Sequence, residues 1–156
     1  MSLRTVSGAL AYDCPTSGQT YILVVHQAIY FSTMQHNLLA TMQLRLNDVI
    51  VNDVPKFLTD KPNKLTHTIS VLGSSADPND RLVIPLTIHG VTSSFPTRKP
   101  STREYESCPQ YELTFESPEY DPHDPTYSKQ EQVALNTLTS PKTGDRVRSI
   151  ISVLVV

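Results

Sequence analysis

Apolar residues fall along this chain in short runs and in alternation, the two signatures of extended strands. Residues 9–12 and 21–25 are apolar or aromatic runs separated by Pro15-Thr16-Ser17-Gly18. Proline early and glycine late in a short polar link is turn chemistry, so the pair reads as a β-hairpin. Its second strand, Tyr21-Ile22-Leu23-Val24-Val25, is unbroken, which predicts cover on both faces. Ala28-Ile29-Tyr30-Phe31 continues or re-enters the same sheet. Leu38, Leu39, Met42 and Leu46 recur at helical spacing behind Asn37, a residue suited to an N-cap, so a short helix is expected over 37–46. Val49-Ile50-Val51 then gives a brief strand, and residues 55–65, with two prolines and three lysines, a loop.

In residues 66–72, His67, Ile69 and Val71 alternate with Thr66, Thr68 and Ser70, the period of a half-buried strand. Residues 73–80 form a turn. Residues 82–88 and 91–95 flank His89-Gly90 as a second hairpin, and Pro85, which cannot donate to a ladder, puts its strand at an edge or a bulge. Ser101-Thr102-Arg103-Glu104 has the form of a capping box, so a turn or two of helix is expected through Cys108. Residues 111–115 are the last strand of the ordered part. Pro118, Pro122 and Pro125 then mix with Glu116, Glu119, Asp121 and Asp124, a composition that buries little apolar surface. Residues 1–116 are therefore expected as a β domain and 117–156 as an extended or mobile tail. The tail ends in an apolar run, residues 150–156, that either adds a strand or is an exposed sticky end.

Composition narrows the class. The chain has 156 residues, one domain's length, with 38% hydrophobic residues, 12 prolines, 5 glycines and no tryptophan. So many prolines argue against long helices. A formal net charge of -2 gives no electrostatic footprint for nucleic acid, so no such partner is expected. No stretch approaches the ~20 apolar residues of a membrane span, and Met1-Ser2-Leu3-Arg4-Thr5 lacks the apolar run of a signal peptide. An intracellular, cytoplasmic protein is expected. Cys14 and Cys108 lie far apart in sequence and form no ligand-spaced pair.

Several blocks together carry a resemblance. They are Ala11-Tyr12-Asp13-Cys14-Pro15, Gly18-Gln19-Thr20-Tyr21-Ile22-Leu23, Val25-His26-Gln27-Ala28-Ile29-Tyr30-Phe31, Met34-Gln35-His36-Asn37-Leu38-Leu39, Gln43-Leu44 and Val51-Asn52-Asp53-Val54-Pro55. Ile84-Pro85-Leu86, Thr97-Arg98-Lys99-Pro100 and Glu112-Leu113-Thr114 follow in order. Over about residues 8 to 125 the chain resembles the protease region of copia-type retrotransposon polyproteins. The resemblance implies a partial retropepsin-like acid-protease β-barrel with two short helices and a poorly ordered C-terminal tail. It marks His26, Gln27, Ala28, Asn37, Leu38, Leu39, Gln43 and Leu44 as the motif that supports the fold. It further implies that the family's catalytic aspartate belongs upstream of the matched blocks, and that absent N-terminal strands leave an unpaired sheet edge. A homodimer through sheet edges is the expected partnership.

No Asp-Thr-Gly or Asp-Ser-Gly occurs in the sequence. Acid proteolysis needs two carboxylates that share a proton, and near the matched core only Asp13, Asp48 and Asp53 are candidates, all readable as turn or cap residues. His26, His36, His67, His89 and His123 show no metal-ligand spacing. Gly73-Ser74-Ser75 lacks the framing of a nucleophile elbow. Cys14 and His26 face across a hairpin but read as structural. Lys56, Lys61, Lys64, Arg98, Lys99 and Arg103 read as solvated loop residues. The expectation is no catalytic, cofactor or metal site: a non-catalytic fragment or relic of such a polyprotein, or else a domesticated interaction or dimerisation module.

Overall fold

A computed structural model describes residues 5–75, 77–119, 121, 123–138 and 153–155. The chain divides into two compact units, one of residues 1–118 and 152–156, the other of residues 119–151. The fold is mainly β, and the strands of the first unit form three small sheets and no closed barrel.

The first sheet is built on β1 (Thr5–Asp13) and β2 (Thr20–Ile29), an antiparallel hairpin joined by the Pro15–Gly18 turn. β9 (Gln110–Thr114) adds in parallel on the other side of β2, giving the order β1-β2-β9. The central strand is β2, and its consecutive Ile22 and Leu23 are both fully buried, as an unbroken apolar run predicts. β2 runs on through Ala28 to Ile29, leaving Tyr30 and Phe31 exposed beyond its end. On the outer edge of β1 the described residues make a single bridge, Ala11 with Arg98.

The second sheet is β4 (Ile50–Asn52), β5 (Thr68–Leu72) and β6 (Arg81–Pro85) in that order, both pairings antiparallel. Here the half-buried reading of residues 66–72 is corrected. β5 is the central strand, and its polar face is buried as deeply as its apolar one, Thr66, Thr68 and Ser70 being at most 5% exposed. Thr68 donates to the Leu65 carbonyl at 2.8 Å, Thr66 accepts from the Asn63 amide at 2.9 Å, and the Ser70 hydroxyl accepts from Arg81 on β6 at 3.4 Å. Short hydroxyl side chains that find backbone partners lose little on burial. Pro85 ends β6 on the sheet edge, where its missing N–H costs nothing.

The third sheet has the order β3-β10-β8-β7, from β3 (Leu38–Ala40), β10 (Val153–Val155), β8 (Thr92–Ser94) and β7 (Thr87–His89). The second hairpin forms only in its inner part. The single strand expected over 82–88 breaks at Leu86 into β6, which pairs with β5, and β7, which pairs with β8 across a turn at Gly90, whose φ of 62° suits a residue without a side chain. β3 corrects the helix expected over 37–46. Leu38 and Ala40 are exposed while Leu39 is buried, a strand alternation, and helix α1 (Thr41–Leu46) begins after it with Ala40, not Asn37, at the cap position. Leu38 and Leu39 meet the helical spacing only by coincidence with a two-residue period.

Helix α2 (Thr102–Ser107) carries the expected capping box, with the Glu104 amide donating to Ser101 Oγ and the Ser101 amide donating to Glu104. A 3-10 turn at Lys56–Leu58 interrupts the 55–65 loop. Inside the first unit one core joins β2, β5, β6 and β9 to α1 through residues such as Leu23, Leu44, Ile69, Ile84 and Leu113.

The second unit contains α3 (Pro125–Leu138), a 14-residue helix where an extended tail was expected. Asp124 accepts the Thr126 amide at 2.8 Å, and Pro125 occupies the first helical position, where its fixed φ helps and its missing donor is not needed. No residue of α3 is buried. The rest of that expected tail, residues 139–152, lies outside the described residues. The terminal apolar run contributes β10, so its described part adds a strand.

Candidate functional site

The motif residues His26, Gln27 and Ala28 sit where β2 bulges against β1, just past the point where β9 carries its own extra residue, Leu113, opposite Val24 and Val25. Gln27 has a φ of 56°, and its amide donates to the carbonyls of Phe115 and Pro118, each at 2.9 Å. Thr114 takes over the ladder beside it. Its hydroxyl accepts the His26 amide at 2.8 Å and donates to the His26 carbonyl at 2.7 Å. The His26 ring bonds Ser7 through Nδ1 at 2.8 Å and faces Glu112 at 3.7 Å.

In the second half of the motif Leu39 and Leu44 enter the core, while Asn37 and Leu38 stay exposed. Gln43 is half-buried, and its Nε2 has no hydrogen-bond partner among the described residues. A residue missed from sequence ties this region together. Asn47 follows α1, donates to the Gln43 carbonyl at 2.7 Å and accepts the Phe115 amide at 2.7 Å, joining helix end to strand end. Its only sequence signal is an asparagine just past a helix.

The candidate carboxylates do not converge. Asp13 is held by Arg98 in two contacts, at 2.7 and 2.9 Å, and by the Thr20 hydroxyl at 2.7 Å. Arg98 also grips Glu104 through two nitrogens, at 3.0 and 2.6 Å. The guanidinium thus stands as a shared cation for both carboxylates. It pushes Glu104 down to about 2, with the Ser101 cap helping, and holds Asp13 below the usual carboxylate range, with Thr20 helping. This is the reverse of a proton-sharing pair, which needs one carboxyl pushed up. Asp53 faces Arg45 at 3.4 Å, and Asp48 sits at a φ of 61° in the turn after α1.

Cys14 and Cys108 are free thiols. The Ser17 hydroxyl, chiefly, lowers Cys14, while the partner of His26 is Ser7, so no thiol–imidazole pair forms. Arg98 is neutralised by its two carboxylates, and Lys56, Lys61, Lys64, Lys99 and Arg103 are exposed. Among the described residues no group of three or more His, Cys, Asp or Glu could hold a metal. No helix of the described residues is long and apolar enough to cross a membrane.

What the fold does build is a groove. Residues 34–38 form one wall; Thr87, His89, Thr92 and residues 94–97 form the other, around about 800 Å³. Its walls carry no Lys, Arg, Asp or Glu. His89 Nδ1 and Ser94 Oγ are hydrogen-bonded at 2.8 Å across the β7–β8 hairpin. Beneath the hairpin the next serine, Ser93, bonds Nε2 of His67 at 2.8 Å, and burial keeps His67 below its ordinary value. Along the same stretch Ile29, Tyr30, Phe31, Met34, Leu38 and Met42 are all exposed. These large apolar side chains in one segment make an exposed apolar surface beside the groove's first wall.

Comparison with protein-family models, with curated proteins and with solved structures returns no match.

Proposed function

We propose that the chain is a non-catalytic β module derived from the aspartic-protease region of a copia-type retrotransposon polyprotein. The observation that carries this reading is the Asp13–Arg98–Glu104 clamp. Both candidate carboxylates that lie inside the family-like blocks are in ion pairs, Asp13 with Arg98 and Asp53 with Arg45, within a sequence that has no Asp-Thr-Gly or Asp-Ser-Gly. Helix α1 directly after Asn37-Leu38-Leu39 supports the same origin, since a helix follows such a block in retropepsin-like enzymes. Sequencing the genomic flank tests the origin. An upstream reading frame with an Asp-Ser/Thr-Gly segment is expected, and flanks with no polyprotein coding in either direction count against it.

A second reading is favoured by the exposed apolar residues between Ile29 and Met42 and by the uncharged groove beside them. On it, the chain is a domesticated interaction or dimerisation module. Uncharged walls suit polypeptide backbone and offer nothing to phosphate. Crosslinking at rising protein concentration separates this from an inert relic, which stays monomeric.

A further inference from the structure

β3 and β8 do not pair with each other. Each takes β10 as neighbour, and the sheet β3-β10-β8-β7 exists only through it. The gap between them is one strand wide with backbone on both sides. On the β3 side Val153 pairs with Ala40, Leu154 with Leu39 and Val155 with Leu38; on the β8 side Val155 lies beside Ser94.

The strand that fills this gap reaches it by a detour. The chain leaves the first unit after Pro118 and rejoins it at Ser152, and all that lies between belongs to the second unit. A strand separated in sequence from its neighbour β8 by residues 95–152 can make the same backbone bonds to the slot of its own chain or to that of a neighbour. Exchange then costs little beyond the entropy of association. Three apolar residues, Val153, Leu154 and Val155, are what is exchanged, and β-branched residues such as valine favour an extended backbone.

The surroundings fit the same occupant. β10 is antiparallel to β3 and parallel to β8. A strand prolonged past Val155 therefore tracks residues 37 to 34 on one side and 95 to 97 on the other. Those residues are the groove walls, so slot and groove form one extended channel without a Lys, Arg, Asp or Glu in its lining. A channel of that kind receives strands by main-chain hydrogen bonding, with side-chain fit setting the choice.

We propose that the β3/β8 slot is a strand-receiving site that accepts Val153–Val155 of a second copy, producing a dimer by exchange of C-terminal strands. This rests on the dimerisation reading and is independent of retrotransposon origin, so the flank sequencing leaves it untouched.

The register supplies the test. In full-length chains carrying Cys14→Ser and Cys108→Ser, one preparation receives Ala40→Cys and another Val153→Cys. Neither can close a disulfide within its own chain. The two are mixed, incubated at high concentration and oxidised, and products are resolved by mass. Exchange predicts the mixed disulfide at least tenfold above the two same-variant disulfides, with its yield rising with concentration. Mixed and same-variant products in statistical proportion, or no covalent dimer at all, would overturn the proposal. Ala40 is exposed, so Ala40→Cys leaves the fold intact, and circular dichroism of each variant checks this. A third arm adds Leu154→Pro to the Val153→Cys chain, removing the donor at the middle of β10. Loss of the mixed product is expected, and its persistence would overturn strand pairing as the cause.

Discussion

The Thr114 hydroxyl sits at the point where β2 bulges, and replacing it isolates what the family-like His26-Gln27-Ala28 block contributes. Thr114 is 2% exposed and bonds both the amide and the carbonyl of His26. Thr114→Val keeps the branched shape and removes the hydroxyl, leaving one donor and one acceptor of the β2 backbone unpaired. Each net hydrogen bond is worth about 1 kcal/mol, and a group left unpaired and buried costs about 1–3 kcal/mol. His26 is half-buried, so water reaches part of the gap and the sum is placed at about 2–3 kcal/mol. Thr114→Ser removes only a methyl and costs about 1 kcal/mol. Urea unfolding followed by circular dichroism reads both. With a slope of about 1–3 kcal/mol per molar, the valine variant should unfold about 1–2 M earlier than the wild type and clearly before the serine variant. A valine variant as stable as wild type, or a serine variant less stable than valine, would refute the reasoning.

Four further outcomes follow from the same geometry. A Cβ on Gly73 would run into the Asp80 carboxylate, which the Tyr111 hydroxyl bonds at 3.1 Å, so Gly73→Ala should unfold at lower urea than the wild type as that bond is lost. Burial, with Lys56 adding, lowers His67 below its ordinary 6.5, so the unfolded chain takes the proton more readily. His67 therefore favours folding fully above 6.5 and loses that contribution as pH falls through its lower folded value, a slope that His67→Gln should flatten in thermal melts. Arg98 depresses Asp13 below 3.8 and Glu104 from 4.5 to about 2, so the clamp acts fully above 4.5 and is lost as pH falls toward 2. Arg98→Met should be less stable than wild type near neutral pH, with unfolding midpoints that converge at the acid end. Asp124→Ala removes the cap of α3 and should weaken that helix, seen as lost helical signal in circular dichroism.

Local rules made much of this fold legible in the sequence, and tertiary partners account for what they missed. The Pro15–Gly18 hairpin and the Ser101 capping box each depend on residues within a few positions, and each forms; of the His89-Gly90 hairpin the turn and the pairing of 87–89 with 92–94 form, while residues 81–85 are drawn into the sheet of β5. β3 was hidden because a three-residue strand becomes one only when β10 arrives from more than a hundred positions away. The buried polar face of β5 was hidden for the same reason, since it needs β4 and β6 on its two sides. α3 was legible in Asp124-Pro125 and in the lack of glycine or proline from 126 to 138, but the acidic, proline-rich stretch before it dominated the composition. The groove could not be read at all. It is made by residues 34–38 meeting residues 87–97, and neither segment carries a motif that points to the other.

We propose that this β module does not cleave peptides: of its candidate aspartates, Asp13 is held by Arg98, Asp53 faces Arg45 and Asp48 lies in the turn after α1. An acid-pH peptidase assay tests it most directly, with purified protein at high concentration, with and without an aspartic-protease inhibitor. The account predicts no inhibitor-sensitive cleavage, and the same baseline for wild type and Asp13→Asn. Inhibitable cleavage that Asp13→Asn abolishes would contradict it.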